Sequence, residues 1–199
     1  MSLRLRGLTA RGLAPFDFEL GSGECVAVMG PSGSGKSVLL RAIADLDPNE
    51  GTAALDGEDR AAMTGPDWRR RIGYLAPVPG WWADRVGAHF PDREAARPII
   101  EALGFETGAF DWPVARLSTG EGQRLALARM LVGAPKALLL DEPTGAVDEA
   151  SRDAVEVLLK ARLASGVPIL IVTHDSEQAR RLAKRALKID KGAVHEGHP

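Results

Sequence analysis

Apolar residues alternate with arginine and small residues from Leu3 to Leu8, and Phe16, Phe18 and Leu20 repeat the same period of two. Both segments therefore predict half-buried strands, paired as an opening antiparallel hairpin. After the turn Gly21-Ser22-Gly23, the run Cys25-Val26-Ala27-Val28-Met29 is apolar without alternation, the pattern of a strand covered on both faces of a parallel sheet. A Gly- and Ser-rich loop follows, and the spacing of Val38, Leu39, Leu40, Ile43 and Ala44 predicts a helix stopped by Asp47-Pro48-Asn49. Short strands are expected at Thr52 to Leu55, closed by the turn pair Asp56-Gly57, and at Ile72 to Ala76.

Farther along, residues 77–114 are rich in Pro, Gly and aromatics, with Arg93 to Leu103 the best helical stretch. A helix from Thr119 to Leu131, a strand from Ala137 to Leu140, a helix from Ala150 to Leu163, a strand from Ile169 to Val172, a helix near Glu177 to Lys184 and a tail strand from Ala186 to Ile189 with a turn at Lys191-Gly192 complete the chain. Alternating strand and helix implies an α/β fold with a parallel-sheet core, preceded by an antiparallel β subdomain and interrupted by a small helical insertion at about 77–133. The 199 residues suit one domain with one core.

Composition narrows the function classes. Hydrophobic residues are 45% and charged residues 26% of the chain, with a formal net charge of -2, so no overall positive field favours nucleic acid. Cys25 is the only cysteine and has no internal disulfide partner. Arg4, Arg6 and Arg11 stand where a signal peptide needs an apolar run, so a cytoplasmic place is expected. The longest apolar runs fall far short of a membrane span.

The chemistry is carried by three clusters. Gly30-Pro31-Ser32-Gly33-Ser34-Gly35-Lys36-Ser37 matches G-x-x-x-x-G-K-S/T between a buried strand and a helix, the context that pattern requires. Its glycines let backbone N–H groups surround an anion, the helix N-terminus adds its dipole, Lys36 suits the β- and γ-phosphates of a nucleotide, and the Ser37 hydroxyl suits Mg²⁺. At the end of the strand Ala137 to Leu140, Asp141 suits Mg²⁺, while Glu142, pointing the other way, suits a base that orients attacking water. A plain turn cap before Pro143-Thr144-Gly145 is the alternative. His174 ends another buried strand and suits a hydrogen bond to the γ-phosphate, whereas His89, His195 and His198 read as structural.

Between these lies Leu117-Ser118-Thr119-Gly120-Glu121-Gly122-Gln123-Arg124, which resembles the signature motif of ATP-binding cassette (ABC) ATPases, with Thr119 in place of a glycine. Asp141-Glu142-Pro143-Thr144-Gly145-Ala146-Val147-Asp148 resembles that family's Walker B and D-loop, and Thr173-His174-Asp175 its switch histidine. The resemblance spans essentially the whole chain. It implies a P-loop fold of ABC type, ATP and Mg²⁺ as ligands, ATP hydrolysis, and a head-to-tail homodimer. In that dimer Ser118 and Gly120 close over nucleotide held by the other copy. A separate integral membrane permease is the implied partner, with the chain peripheral on the inner face of the membrane. The text looks closest to short bacterial export-type cassettes, FetA-like or lipoprotein-release and macrolide-export ATPases. Ser118 also suits a plain N-cap.

Two departures stand out. The family's glutamine after the strand Ile72 to Ala76 is replaced by Pro77, which offers neither polar side chain nor N–H, and Thr9-Ala10-Arg11-Gly12 lacks the family's adenine-stacking aromatic. Arg11 reads either as a stacking guanidinium or as a solvated arginine. Eight of the ten aromatic residues fall between positions 68 and 112. Core places are open for Trp68 and Trp112. The adjacent Trp81 and Trp82 follow a Pro- and Gly-rich stretch where burying both is difficult, and because the resemblance implies that the permease docks in this region, they are the docking candidates. Competing readings are a non-transport ABC ATPase of DNA repair or translation and a small-molecule P-loop kinase.

Overall fold

The computed structural model describes residues 1–199. Two sheets share the work. Strands β1 (Leu3–Ala10), β2 (Leu13–Leu20), β4 (Asn49–Leu55) and β5 (Glu58–Asp59) form an antiparallel sheet ordered β2-β1-β4-β5. Six strands form the second sheet: β3 (Cys25–Met29), β6 (Ile72–Leu75), β7 (Ala137–Asp141), β8 (Ile169–Val172), β9 (Arg185–Asp190) and β10 (Ala193–Gly197). Their order is β10-β9-β3-β8-β7-β6, parallel throughout except for β10.

The lack of alternation in β3, β7 and β8 has a direct structural counterpart. Successive side chains of a strand point to opposite faces, so Ala27, Leu138, Leu140, Ile169 and Ile171 enter one core while Val26, Val28, Leu139, Leu170 and Val172 enter another. The first core is closed by helices α3 (Arg93–Ala102), α4 (Thr119–Val132), α5 (Glu149–Ala164) and α6 (Ser176–Leu182). The second is closed by the antiparallel sheet together with α1 (Lys36–Ile43) and Trp68 of α2 (Gly65–Arg71). Between Val86 and Arg116 the chain makes α3 and short 3-10 turns.

Differences from the sequence expectations are local. Helix α6 stops at Leu182, because Ala183 turns extended with φ -115° and ψ 142°, so Lys184 lies outside it. The chain does not end its sheet at Ile189. Lys191 and Gly192 both have positive φ, 46° and 83°, the backbone of a tight two-residue hairpin, and they return the chain as β10. Helix α2 is additional, started by Thr64, whose hydroxyl accepts from Asp67 N, with Pro66 in its first turn. No helix is long and apolar enough to cross a membrane.

Candidate nucleotide site

Parallel strands deliver their C-terminal ends to one edge. There β3 leads into residues 30–35, β6 into Ala76-Pro77, β7 ends at Asp141 before Glu142, and β8 leads into Thr173-His174.

Residues 30–35 fold over the start of α1 with φ of +152°, +76° and +107° at Gly30, Gly33 and Gly35. Gly35 is the N-cap of α1 and supplies no side-chain acceptor, so the first N–H groups of the helix are free for an external anion. The Lys36 ammonium lies 2.8 Å from both Gly30 O and Pro31 O, with the residue only 7% exposed. Ser34 Oγ is buried without a partner. An ammonium resting on neutral carbonyls, an orphan hydroxyl and an uncapped helix start together fit a polyphosphate. Phe16 is half-buried and Arg11 is exposed on the turn between β1 and β2.

Asp141 shares the strand face of Leu139, directed at α1, and is 1% exposed. The Tyr74 hydroxyl donates to its Oδ2 at 3.4 Å. Burial pushes the Asp141 carboxyl above the ordinary carboxylate range, the Ser37 hydroxyl pulls it back, and the charge of Glu142 adds to the rise. Tyr74, pushed up to about 12 by burial and by Asp141, stays a proton donor. Three or more His, Cys, Asp or Glu side chains do not gather anywhere as a metal cage. The pair Ser37 and Asp141 instead suits Mg²⁺ carried in on phosphates, since that ion needs few protein ligands.

A carboxyl whose folded pKa exceeds its unfolded one favours the folded state at low pH, and that contribution is lost as pH rises through the folded pKa. Asp141→Asn therefore raises Tm at pH 7 in the absence of nucleotide, and the gain shrinks as the pH is lowered towards 4; thermal melts across that range showing no gain at pH 7 would contradict this account.

Glu142 has φ +54°, a left-handed conformation uncommon for a non-glycine residue. It is held by Glu142 N donating to Val172 O at 3.0 Å and Gly145 N donating to Glu142 O at 3.2 Å. The turn swings its carboxylate away from Asp141 and to 3.1 Å from His174 Nε2. Both Glu142 and His174 remain solvent-accessible, at 38% and 59%.

Ser118 is the N-cap of α4 and forms a reciprocal capping box: Glu121 N donates to Ser118 Oγ at 3.2 Å and Ser118 N donates to Glu121 Oε2 at 2.8 Å. No hydrogen bond joins Ser118 or Gly120 to residues 30–37 of the same chain. Gly120 instead meets the segment after Glu142 so closely that a Cβ there would lie 2.5 Å from Ala146 O. Pro77 is exposed, and the residue before it is anchored by Gln123 Nε2, which donates to Ala76 O at 3.1 Å. Gln123, Thr144 and Gln178 are buried polar groups behind this edge that sequence reading did not single out as site residues. Gln123 and Thr144 lie within the two motif stretches without a role attached to them, and Gln178 offered only its polarity.

The aromatic cluster resolves position by position. Trp68 is fully buried, Trp112 half-buried, Trp81 packs against the first core, and Trp82 is 73% exposed. Trp81 and Trp82 both sit edge-on to the buried His89 ring, with centroids at 4.8 and 4.3 Å, and Arg129 lies over both indoles at 4.8 and 4.7 Å. Arg129 thereby fixes the pair and anchors Gly80 O at 3.0 Å.

A phosphate loop with its lysine, a strand-end acid facing the loop's serine, and a second acid paired with a histidine define a P-loop nucleoside triphosphatase site. The family model described as ABC transporter matches residues 13–145. The chain is 41% identical over 184 residues to the aliphatic sulfonates import ATP-binding protein SsuB 2 of Mesorhizobium japonicum, covering 88% of this chain and 70% of that protein. It is 38% identical over 187 residues to SsuB of Escherichia coli, covering 92% and 72%. Among solved structures, the ATP-binding subunit of an ABC transporter superposes with TM-score 0.87 at 23% identity over 100% of this chain and 90% of that one, which speaks for the fold. The dimeric post-hydrolysis state of the ATP-binding cassette MJ0796 bound to ADP and Pi superposes with TM-score 0.87 at 25% identity over 98% of both chains. The chain belongs to the ABC transporter ATP-binding family; it is an ATPase and the ATP-binding subunit of a transporter. The likeness to export-type cassettes does not carry through, because these relatives are named for import.

Proposed function

We propose that this chain hydrolyses Mg-ATP as a head-to-tail pair on the cytoplasmic side of a membrane permease, and that the transport it drives is import. The observation that carries the reading is the convergence of Lys36, the Ser37 and Asp141 pair and the Glu142 and His174 pair on one sheet edge. Lys36 and the free N–H groups of residues 35–37 hold the phosphates; Ser37 and Asp141 hold Mg²⁺, which when bound neutralises charge on the β- and γ-phosphates. Glu142 orients and accepts a proton from the attacking water, and His174 keeps the Glu142 carboxylate in place. Ser118 and Gly120, lacking any hydrogen bond to their own chain's phosphate loop, serve the loop of the second copy. The whole chain acts as one nucleotide-binding domain with residues 77–133 as its helical insertion, and the exposed Trp82 with Trp81 receives the permease.

Import follows the names of the relatives, and their cargo, an aliphatic sulfonate, is the first candidate here. In the host, loss of this chain abolishes inward uptake of a labelled alkanesulfonate, and wild type but not Lys36→Ala restores it; unchanged uptake would set that cargo aside. In the purified protein, Lys36→Ala removes a charge-assisted contact of about 1.5–3 kcal/mol. ATP affinity by titration calorimetry falls about 10- to 150-fold, and unchanged affinity would remove Lys36 from phosphate binding.

A further inference from the structure

The contact between Glu142 and His174 is a single pairing between solvent-accessible side chains, 3.1 Å long. Such exposed pairs contribute little and do not fix their own geometry. Something behind them must set the spacing. Two residues beyond Glu142, the buried Thr144 hydroxyl donates to Gln178 Oε1 at 3.0 Å. Four residues beyond His174, on α6, Gln178 is 0% exposed and its Nε2 donates to Glu156 Oε1 of α5 at 3.4 Å. Glu156, 3% exposed, is clamped by Arg181, with Nε 3.0 Å from Oε2 and Nη2 2.7 Å from Oε1. Lys160 approaches Glu156 Oε2 at 3.8 Å. Asp175 closes the ring: it caps α6 by accepting from Glu177 N and Gln178 N at 2.9 and 3.0 Å, and lies 3.5 Å from Arg152 of α5.

The chemistry fixes the direction of every bond. Burial pushes the Glu156 carboxyl up, but the bonds from Arg181 and Gln178 bring it below its ordinary value, so it is an acceptor only. Gln178 must then present Nε2 to Glu156 and Oε1 to Thr144, and no other buried group at that place does both with one planar amide.

We propose that Gln178 is a positioning residue for hydrolysis, tying the turn after Glu142 to the helix after His174 through Thr144, Gln178, Glu156 and Arg181, and so setting the spacing of the Glu142 and His174 pair. This rests on the assignment of Glu142 and His174 to hydrolysis. The role is distinct from stability because Gln178 stands on the helix that follows His174 while its amide accepts from Thr144 in the turn that follows Glu142, and misplacement of a reacting group by about 1 Å can cost about a hundredfold in rate.

The test uses the full chain with Gln178→Met, Thr144→Val, their combination, Thr144→Ser, and Glu142→Gln alongside. Expected are a roughly tenfold loss of kcat in Gln178→Met and in Thr144→Val, KM for ATP within about twofold of wild type, no further loss in the double variant because one link is already broken, and recovery of most of the turnover in Thr144→Ser. Wild-type kcat in either single variant would overturn the proposal, as would losses that add in the double variant or that follow Tm instead of the hydroxyl. Should Gln178→Met not fold, the milder Thr144→Val and Thr144→Ser pair decides alone. If Glu142→Gln keeps turnover, the assignment of the pair fails; if it loses turnover while Gln178→Met keeps it, only the positioning role fails.

Discussion

Glu142→Gln lowers phosphate release by about 10²- to 10⁴-fold, the usual contribution of a positioned general base, while ATP affinity stays within a few-fold of wild type. The two effects separate because the residue stands apart from the phosphate loop. Its carboxylate turns through a left-handed backbone towards His174, whereas the proposed phosphate site is built from Lys36 and the uncapped start of α1. Glutamine keeps the size and an oxygen facing His174 but accepts no proton from water. Single-turnover and steady-state assays distinguish a lost chemical step from lost binding, and turnover within threefold of wild type would remove Glu142 from the role.

Trp68→Ala is the substitution with the largest expected effect on stability. The indole is fully buried in the second core, and its Nε1 donates to Ile43 O, the last carbonyl of α1, at 2.8 Å. Removing it leaves a large cavity and an unpaired carbonyl at the end of the helix that carries Lys36 and Ser37. The expected cost is about 3–5 kcal/mol, a fall in Tm of about 6–20 °C for a chain of this length. A fall of under 2 °C would show that the site refills.

Much of this was legible in the sequence because period and loop chemistry agree locally. The unbroken apolar runs of β3, β7 and β8 report burial on two faces, and the glycine loop between β3 and α1 is interpretable without tertiary knowledge. The misses have specific physical causes. Strand β10 is polar and lies at the sheet edge, exposed at His195 and Glu196, so its only signal was the Lys191-Gly192 turn. Helix α2 is seven residues long and buries a single side chain, Trp68, too short for a period, although its cap Thr64 and Pro66 were visible. The network from Thr144 to Arg181 joins residues up to 37 positions apart, and polar residues in a sequence do not announce their partners. Pro77 lacks a polar side chain and N–H by its chemistry alone; the anchoring of Ala76 by Gln123 needed the fold.

The central claim is that ATP joins two copies of this chain and that Glu142 then acts on it. Light scattering of purified Glu142→Gln with chelator present tests it directly. The mass of a single chain without nucleotide and of two chains with ATP is the predicted result. A mass that stays at one chain while calorimetry shows ATP bound would contradict the two-copy site and the trans role given to Ser118 and Gly120.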